Sequence, residues 1–347
     1  MDKLRVGLAG YGRFGRIHWD AIASIPDAEV CCICVGDKES AAKIRIALPQ
    51  VEVYSDYDEF LQKGRIDVVH IVTPNYLHAS QAMKAIARGK DVFLEKPIAI
   101  NLEDGKELLE KKGRSGSRVQ VGFESRYAPF WTGFKSNLEN GTVKDPTFAK
   151  IESWRRPFRP GSAGWRYDGA RVGHQLLEEA IHYFDVAAWF FGMPERVSGF
   201  TDSPPKVWNE GSFGTAAALL EYGNGLKVLI MNTLNGISEH LTVEVSGTGA
   251  MMGVNFEEEQ QQPGSYSSSA AGWMKVRDAE GNLGSMRVEP LAETENVRLE
   301  IKDFLERIRS GNEPMVTLQD GFRALSLDLA AISAIGSGKI VSTGPKA

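Results

Sequence analysis

The chain has 347 residues, with 40 lysines and arginines against 45 aspartates and glutamates, which gives a formal net charge of −5. This length suits two domains of ordinary size, and 42% hydrophobic with 24% charged residues is typical of a soluble globular protein. The acidic balance offers no basic footprint for nucleic acid, and no run of lysine and arginine suggests a membrane surface. We therefore expect small molecules or further copies of this chain as partners.

The N-terminus runs from Met1 directly into a strand-like segment and carries no pattern typical of a secretory signal. No apolar stretch approaches the length of a membrane span, so we expect a cytoplasmic protein. The three cysteines are Cys31, Cys32 and Cys34, all within one predicted strand. Neighbouring side chains of a strand point to opposite faces, so we expect three buried free thiols and no metal site among them.

Residues 4–17 read as a short buried strand, a glycine turn and the start of a helix. The glycines follow the spacing G-x-G-x-x-G, in which the first makes a tight turn, the second admits a pyrophosphate and the third lets the helix approach the strand. Phosphate would bind the free N–H groups at the helix N-terminus. The predicted cofactor contacts in this motif are Gly10, Gly12, Arg13, Phe14 and Gly15.

A second strand is predicted at residues 29–35, and Asp37 follows it, 22 residues after Gly15. An acidic residue near this point typically binds the adenosine ribose hydroxyls, which favours NAD as the cofactor. NADP is not excluded, because Lys38 offers a cation for a 2′-phosphate. The alternative for Asp37 is a solvated turn residue.

The next buried-strand pattern covers residues 67–72, and Thr73-Pro74-Asn75 ends it where open α/β sheets bind ligands. His78 follows on the next predicted helix. We expect these residues to contact the ribose and nicotinamide half of the cofactor. For Asn75, a turn or a helix cap is an equally good interpretation.

A further strand at residues 91–94 ends in Glu95-Lys96-Pro97. This triplet places a carboxylate and an ammonium at the end of a strand, and the proline restricts Lys96 to an extended backbone. Such a pair at a ligand-binding edge predicts a role in cofactor binding for both residues, and in catalysis for Lys96.

These motifs, in this order, resemble the family of glucose-fructose oxidoreductase, inositol dehydrogenase and MocA, here called the Gfo/Idh/MocA family. The segment from Gly122-Phe123 to Arg126-Tyr127 resembles the family's crossover into its second domain. The resemblance implies an α/β protein with an N-terminal Rossmann doubly wound parallel sheet at 1–122. At 123–347 it implies an α+β domain with a large open, mainly antiparallel sheet, which binds substrate and mediates assembly into a homodimer or homotetramer.

The second half of the sequence agrees with such a sheet, because its apolar runs alternate or are rich in β-branched residues. The predicted strands are residues 147–154, 196–201, 213–222, 226–233 and 241–246. Residues 260–269 read as a low-complexity loop, mobile or at an interface. Helical periods at 293–310 and 318–337 predict two closing helices, which the resemblance places back along the sheet.

A predicted amphipathic helix near residue 180 carries a second set of candidate residues. Glu178, His182 and Asp185 fall at i, i+4 and i+7, which places them on one polar stripe. An imidazole beside a carboxylate predicts an acid–base pair, with His182 moving a proton and Glu178 orienting it or binding substrate.

The family pattern at this helix is similar to Leu-Leu-Asp-x-Gly-x-His, in which the aspartate and histidine lie beside the catalytic lysine. Here His182 matches the histidine, Glu178 stands at the aspartate position, and His174 replaces a further family glycine. These departures reshape the substrate pocket. Two alternatives remain open: a structural His182 bonded to Glu178, or a metal bound by His174, Glu178 and His182.

Arginines and tryptophans surround this helix in sequence and suit binding of a sugar by stacking, or of a carboxylate or phosphate by paired hydrogen bonds. The arginines are Arg155, Arg156, Arg159, Arg166 and Arg171. The preferred substrate contacts are Arg156 and Trp165, together with Arg126 of the crossover, and a solvated basic loop is the alternative for each arginine.

Together these features predict an NAD-dependent oxidoreductase that interconverts a secondary hydroxyl and a ketone on a sugar, cyclitol or glycoside. Lys96 is expected to hold the reacting oxygen, His182 to take the hydroxyl proton, and Glu178 to fix the imidazole or a neighbouring hydroxyl. Two alternatives stand beside this function. One is a glycosidase that uses transient oxidation by bound NAD, and the other is a non-catalytic NAD-sensing regulator.

Overall fold

The structure is a computed structural model of the full chain. It describes residues 3–157, 161–202, 214–234, 236, 239–248, 250–257, 272–277, 280–288 and 293–343. Two sequence predictions lie outside these residues, namely the loop at 260–269 and the position of Arg159.

The described strands are β1 (Leu4–Ala9), β2 (Ala28–Cys34), β3 (Glu52–Tyr54), β4 (Val68–Ile71), β5 (Asp91–Glu95), β6 (Val119–Gly122), β7 (Lys144–Trp154), β8 (Arg196–Thr201), β9 (Thr215–Glu221), β10 (Lys227–Thr233), β11 (His240–Thr248), β12 (Ala250–Glu257), β13 (Gly272–Arg277), β14 (Leu283–Val288) and β15 (Val341–Ser342). The described helices are α1 (Arg13–Ala23), α2 (Lys38–Ala47), α3 (Tyr57–Lys63), α4 (His78–Ala87), α5 (Leu102–Gly113), α6 (Pro129–Glu139), α7 (Gly169–Val172), α8 (Ile181–Phe191), α9 (Glu293–Ser310) and α10 (Leu318–Ser337). None of these described helices is both long and apolar enough to cross a membrane.

The chain divides into two compact units. The first unit combines residues 1–124 with residues 293–325, and the second combines residues 125–292 with residues 326–347. The chain therefore passes from the first unit to the second after residue 124, close to the predicted domain boundary at 122. The assignment of all of 123–347 to one second domain differs from the structure, because 33 residues near the C-terminus belong to the first unit.

The first unit is built on a six-stranded parallel sheet with the order β3-β2-β1-β4-β5-β6. Strands β1, β4 and β6 are buried along most of their length, as parallel strands covered on both faces must be. The strand order reverses direction between β1 and β4, which is where doubly wound sheets bind their ligands. The predicted Rossmann fold is confirmed.

Helix α9 completes the core of this unit. Its apolar side chains Val297, Ile301 and Phe304 pack with Ile22 of α1 and Phe93 of β5. Phe304 and Phe93 make an edge-to-face contact with ring centres 5.9 Å apart. The expectation that this helix packs along the second sheet is therefore wrong, because its apolar stripe is buried against the Rossmann sheet.

Strand β2 contains an irregularity that the sequence does not predict. The pairing of β1 with β2 shifts by one residue so that Gly7 lies opposite Cys32 and Cys31 has no opposing residue, as in a β-bulge. The Sγ atoms of Cys31 and Cys32 lie 3.7 Å apart, and both approach the carbonyl oxygen of Gly64. The expected alternation of these two side chains is wrong, because the bulge cancels the two-residue period of the strand. All three cysteines are free thiols. Cys32 and Cys34 are buried as expected, whereas Cys31 is partly exposed.

The second unit contains a nine-stranded sheet with the order β14-β13-β12-β11-β7-β10-β9-β8-β15. Only the β7–β10 pair is parallel among the pairs described, so the predicted mainly antiparallel sheet is confirmed. All five strands that the sequence predicts are present in it. Strands β12 to β15 were not predicted. β13 and β14 contain glycine and charged residues among few apolar ones, and β15 has only two residues. β12 does alternate, with Met252, Val254 and Phe256 buried, and this pattern was missed.

The two faces of this sheet differ in their surroundings. Ala149 and Ile151 of β7 point into the core of the unit, whereas Phe148 and Trp154 on the other face are 41% and 44% exposed. Phe200 of β8, which lies three strands from β7 in the sheet order, is 66% exposed. A large sheet face therefore carries exposed aromatic side chains within the described part of the chain.

Candidate functional site

Three candidate segments lie at one edge of the first sheet. Gly10, Thr73 and Lys96 follow the adjacent strands β1, β4 and β5, and the carboxyl ends of parallel strands share one edge. The backbone of this edge is tightly joined, since Gly10 N–H donates to the carbonyl of Cys34 at 2.8 Å. The sequence motifs for the cofactor are therefore brought together within one unit.

The three motif glycines have different surroundings. Gly10 has φ +97°, and a Cβ built on it would lie 2.3 Å from the carbonyl oxygen of Val72. A Cβ on Gly15 would lie 2.3 Å from the carbonyl oxygen of Gly10. A Cβ on Gly12 would meet no described heavy atom within 4 Å. Gly10 and Gly15 therefore permit close backbone packing, whereas Gly12 faces open space where a pyrophosphate would fit.

Helix α1 begins at this open space. Gly12 is its N-cap, and no described side chain caps the first turn, which contains Arg13 and Phe14. Arg13 is exposed and lies 3.8 Å from a carboxylate oxygen of Glu293, and Phe14 packs on the core. A helix N-terminus with a basic first turn fits the phosphates of NAD. When NAD binds, Gly12 and the first N–H groups of α1 would hold its pyrophosphate.

Asp37 is the N-cap of α2, and its carboxylate accepts a hydrogen bond from the N–H of Ser40 at 2.7 Å. This bond holds the pKa of Asp37 below its usual value, so the residue is a carboxylate near neutral pH. Lys38 is the first residue of the helix. Asp37 is therefore a helix cap and, at the same time, an exposed carboxylate suited to binding ribose hydroxyls.

His78 makes contacts that the sequence does not predict. It is buried, with Nδ1 2.7 Å from the carbonyl oxygen of Pro97 and Nε2 2.7 Å from that of Thr73. Its ring joins the segments after β4 and β5, and its contact with the cofactor stays a prediction. Asn75 begins a short 3₁₀ turn and is buried. The Thr73 hydroxyl donates to Gln81 at 2.7 Å.

Glu95 and Lys96 differ in exposure at the end of β5. Glu95 is buried and Lys96 is partly exposed, and the bond between Lys96 and Pro97 is cis. A Cβ on Gly122 would lie 2.6 Å from Glu95 Oε1, so only glycine admits the carboxylate at its observed position. Glu95 is therefore enclosed by the sheet, while the neighbouring Lys96 is partly open to solvent.

Several polar residues near Glu95 were missed in the sequence. His18 and His70 are fully buried, and Glu300 is 1% exposed. Burial, with Glu95 nearby, raises the pKa of Glu124 to about 8 and that of Glu300 well above its usual value. The sequence contained one signal that could have identified such residues. His70 is a polar residue within the apolar run of strand β4, where a buried side chain is expected.

In the second unit, Arg126 is buried and forms a paired ion bridge to Asp185. Its Nε and Nη2 atoms lie 2.8 Å and 2.6 Å from the two carboxylate oxygens. The guanidinium also lies over the Trp189 ring at 5.4 Å. These contacts join the crossover segment to α8 and give Arg126 a structural role, while its substrate contact stays a prediction. Asp185 is likewise part of this bridge.

The predicted helix near residue 180 is not a continuous α-helix. Residues 176–180 form a π-helical turn before α8, and Glu178 is buried within it. Glu178 Oε1 accepts a hydrogen bond from Arg166 Nε at 2.7 Å, and the Arg166 guanidinium lies over the Trp165 ring at 4.6 Å. His182 follows at the start of α8 and is partly exposed. The wider π turn changes the spacing of Glu178 and His182 from that of the predicted stripe.

His174 precedes this turn as a cap. Its Nδ1 atom accepts a hydrogen bond from the N–H of Leu176 at 3.2 Å, and burial lowers the pKa of His174 to about 4. The described residues contain no group of three potential ligands placed to hold a metal ion. The alternative of a metal bound by His174, Glu178 and His182 therefore has no structural support.

The remaining arginines have varied surroundings. Arg155 Nη1 lies 2.6 Å from Glu179 Oε1, and this ion pair raises the pKa of Arg155 although burial opposes the charge. Arg156 is exposed and Arg171 is partly buried. Trp165 is 8% exposed. Arg156 is the more accessible of the two preferred substrate contacts.

Comparison with known proteins identifies the family. Residues 4–123 match the model of the oxidoreductase family with an NAD-binding Rossmann fold, and residues 135–343 match the family's C-terminal α/β domain. Myo-inositol 2-dehydrogenase of Thermotoga maritima is 27% identical over 337 residues, covering 94% of this chain and 95% of that protein. The NAD⁺-dependent scyllo-inositol 2-dehydrogenase of Bacillus subtilis is also 27% identical, covering 99% and 97%.

Solved structures show the same fold. Levoglucosan dehydrogenase in complex with NADH and L-sorbose superposes with a TM-score of 0.82 at 21% identity, covering 99% of this chain and all of that one. A probable dehydrogenase from Thermotoga maritima has a TM-score of 0.79 at 23% identity, with 98% of each chain covered. The chain therefore belongs to the Gfo/Idh/MocA oxidoreductase family, and its first unit contains the family's NAD-binding Rossmann domain.

Proposed function

We propose that this protein is an NAD-dependent dehydrogenase that interconverts a secondary hydroxyl and a ketone on a cyclitol or a sugar. The main support is Lys96, a partly exposed cation that follows β5 at the edge where Gly12 leaves room for the cofactor phosphates. The inositol dehydrogenases among the relatives support a polyol substrate. Glu95, the residue before Lys96, is buried, so the strand end that carries the lysine is packed into the first unit.

Bound NAD would supply the acceptor for the hydride that leaves the substrate carbon. The Lys96 ammonium would donate a hydrogen bond to the reacting oxygen and stabilise the negative charge that develops on it. A ring nitrogen of His182 would take the hydroxyl proton. Glu178, whose carboxylate is bound by Arg166, would orient the imidazole or a neighbouring hydroxyl.

Arg156 and Trp165 remain the proposed substrate contacts. Arg156 is exposed, and its guanidinium would bind hydroxyls or a carboxylate of the substrate. Trp165 is largely covered, and Arg166 lies over its ring. Trp165 would therefore shape the substrate pocket through its ring edge, while Arg166 keeps Glu178 in place.

A substrate screen tests the reaction directly. Inositols, free sugars, sugar acids and glycosides would each be mixed with NAD or NADP, while NADH absorbance and released products are followed. We expect NADH formation with a cyclitol or sugar and a ketone product, and a preference for NAD because Asp37 would repel a 2′-phosphate. Glycoside cleavage without net NADH would instead indicate the glycosidase. Cofactor binding without turnover of any compound would indicate the regulator.

We also propose that the protein forms a homodimer or homotetramer through the exposed face of the nine-stranded sheet. Phe148, Trp154 and Phe200 are large and exposed, and exposed apolar side chains of this size on a sheet face are typical of an interface. Lys150 lies between Phe148 and Trp154 on β7 and is paired with Glu152 and Glu244. The lysine offsets part of the negative charge of these two carboxylates, which lowers the cost of burying this part of the face against another copy.

A further inference from the structure

The first unit contains a pair of thiols that the proposed reaction does not use. Cys31 and Cys32 are neighbours on β2, and their Sγ atoms lie 3.7 Å apart. Side chains of adjacent strand residues ordinarily point to opposite faces. The β-bulge removes this alternation, because Cys31 has no opposing residue on β1. The expected absence of a metal among the cysteines relied on that alternation and therefore does not apply to this pair.

A backbone carbonyl completes a triangle with the two sulfurs. The Gly64 oxygen lies 3.4 Å from Cys31 Sγ and 3.7 Å from Cys32 Sγ. Gly64 is the C-cap of α3, so its carbonyl has no partner within the helix. A Cβ on Gly64 would lie 2.7 Å from Cys32 Sγ, so the missing side chain leaves room for the sulfur. Two sulfurs and an oxygen therefore lie within 3.7 Å of one another.

The size of this triangle matches one face of a tetrahedral metal site with two thiolate ligands. With Zn–S bonds of about 2.3 Å, two sulfurs on one zinc ion lie about 3.8 Å apart. A carbonyl oxygen bound at about 2.1 Å would lie about 3.6 Å from each sulfur. The observed separations of 3.7, 3.4 and 3.7 Å differ from these values by no more than about 0.2 Å. A zinc ion would therefore require little rearrangement of these three atoms.

The surroundings of the pair suit a cation. Asp67 acts electrostatically on Cys31 and Glu52 acts on Cys32, whereas Arg5 acts on both cysteines. Two carboxylates are thus balanced by one guanidinium near the sulfurs. A divalent cation bound by two thiolates adds no net charge, which lowers the cost of placing it beside the buried Cys32. Cys31 is partly exposed, so an ion would enter from its side.

We propose that Cys31 and Cys32 bind a divalent thiophilic cation of the zinc type, with the Gly64 carbonyl as third ligand and water as the fourth. The described residues contain no group of three side-chain ligands placed for a metal ion, so the third protein ligand here is a backbone atom. On binding, two S–H bonds break, two metal–sulfur bonds form and the two protons pass to solvent, with no oxidation or reduction. The ion joins β2 to the end of α3. This binding does not depend on the proposed reaction.

Zinc titration of the reduced full chain, with NAD present and a chromophoric chelator as competitor, measures the affinity. We expect one zinc ion per chain in the wild type, and at least about a hundredfold weaker binding in Cys31→Ser and in Cys32→Ser. Cys34→Ser removes the thiol outside the pair and is the matched control, which should bind zinc like the wild type. No zinc binding by the wild type, or undiminished affinity in either Cys31→Ser or Cys32→Ser, would overturn the proposal.

Thermal unfolding shows which part of the protein the ion stabilises. Strand β2 and the end of α3 both belong to the first unit, which carries the predicted NAD site. Zinc should therefore raise the unfolding midpoint that NAD also raises, in the wild type and in Cys34→Ser but not in Cys31→Ser. An equal rise in Cys31→Ser would contradict binding by the pair.

X-ray absorption of the zinc-loaded wild type identifies the ligand atoms without any substitution, so misfolding of a serine variant cannot affect the result. We expect two sulfurs at about 2.3 Å and two lighter ligands, which are the Gly64 carbonyl and water. Coordination by nitrogen and oxygen alone would show an adventitious surface ion and overturn the proposal. Four sulfurs would show an ion shared between two chains and would also overturn it.

Discussion

At the scale of single residues, Gly12 and Gly15 offer a direct test of the cofactor site. The structure leaves open space at Gly12, so Gly12→Ala should change the free energy of unfolding by less than about 0.5 kcal/mol. The added methyl group would occupy the pyrophosphate position, and we expect NAD affinity to fall at least about tenfold. Calorimetric titration and chemical unfolding measure the two quantities.

Gly15→Ala is the matched control. Its Cβ would lie 2.3 Å from a backbone oxygen, so we expect a loss of about 1–3 kcal/mol in the free energy of unfolding. A stable Gly12→Ala variant that binds NAD as well as the wild type would contradict the placement of the pyrophosphate.

His174 gives a prediction for the dependence of stability on pH. Burial lowers its folded-state pKa to about 4, below the ordinary value of 6.5, so the unfolded chain binds the extra proton first as pH falls. The stability that neutral His174 contributes is therefore complete above about pH 6.5 and is lost toward pH 4, by roughly 3 kcal/mol at most. In chemical unfolding, His174→Gln should show a smaller loss between about pH 7 and pH 4 than the wild type. Parallel curves would contradict this.

At the scale of secondary structure, the spacing of apolar residues predicts where strands and helices lie, but it does not predict bulges or π turns within them. The strand at residues 29–35 is present as β2, but the bulge at Cys31 depends on how β2 pairs with β1, which a single strand's pattern does not contain. The π turn at 176–180 similarly interrupts a sequence whose apolar spacing is typical of an α-helix. A sequence pattern of this kind does not distinguish a π turn from an α-helical turn, so the irregularity could not be predicted.

Helical periodicity does not predict which surface of the protein covers the apolar face of a helix, and helix α9 is an example. Since Phe304 lies in the core of the first unit, Phe304→Ala should cost about 3–5 kcal/mol in that unit's free energy of unfolding. Thermal unfolding with and without NAD identifies the transition of the NAD-binding unit, whose midpoint should fall. Lys302→Ala, on the exposed side of α9, should leave that midpoint nearly unchanged. A shift confined to the NAD-insensitive transition would contradict the assignment.

At the scale of the whole molecule, the sequence predicts the two sheets and the edge that carries Gly10, Thr73 and Lys96. Parallel strands share their carboxyl edge, so residues following consecutive strands could be grouped without coordinates. The roles of His78 and Arg126 could not be predicted in the same way. Their residue types indicate hydrogen bonding, but the backbone carbonyls and the carboxylate that they bind are set by the folded chain.

Assembly can be tested on the exposed sheet face. Phe200→Asp places a charge on a side chain that is 66% exposed, and burying that charge against another copy would be costly. We expect a multimeric wild type and a smaller assembly for this variant in size-exclusion chromatography with light scattering. Ile46→Asp, at a site on α2 that is 83% exposed, is the control and should leave the mass unchanged. A monomeric wild type, or equal masses for all three proteins, would contradict the proposed interface.

The central claim is that Lys96 acts in the chemistry and not only in holding the fold or the cofactor. The most direct measurement is a single-turnover experiment on Lys96→Met, which keeps most of the length of the side chain and removes its charge. We expect NAD affinity within a few fold of the wild type and NADH formation slower by about a hundredfold to ten-thousandfold. NADH formation at a rate close to that of the wild type would contradict the account.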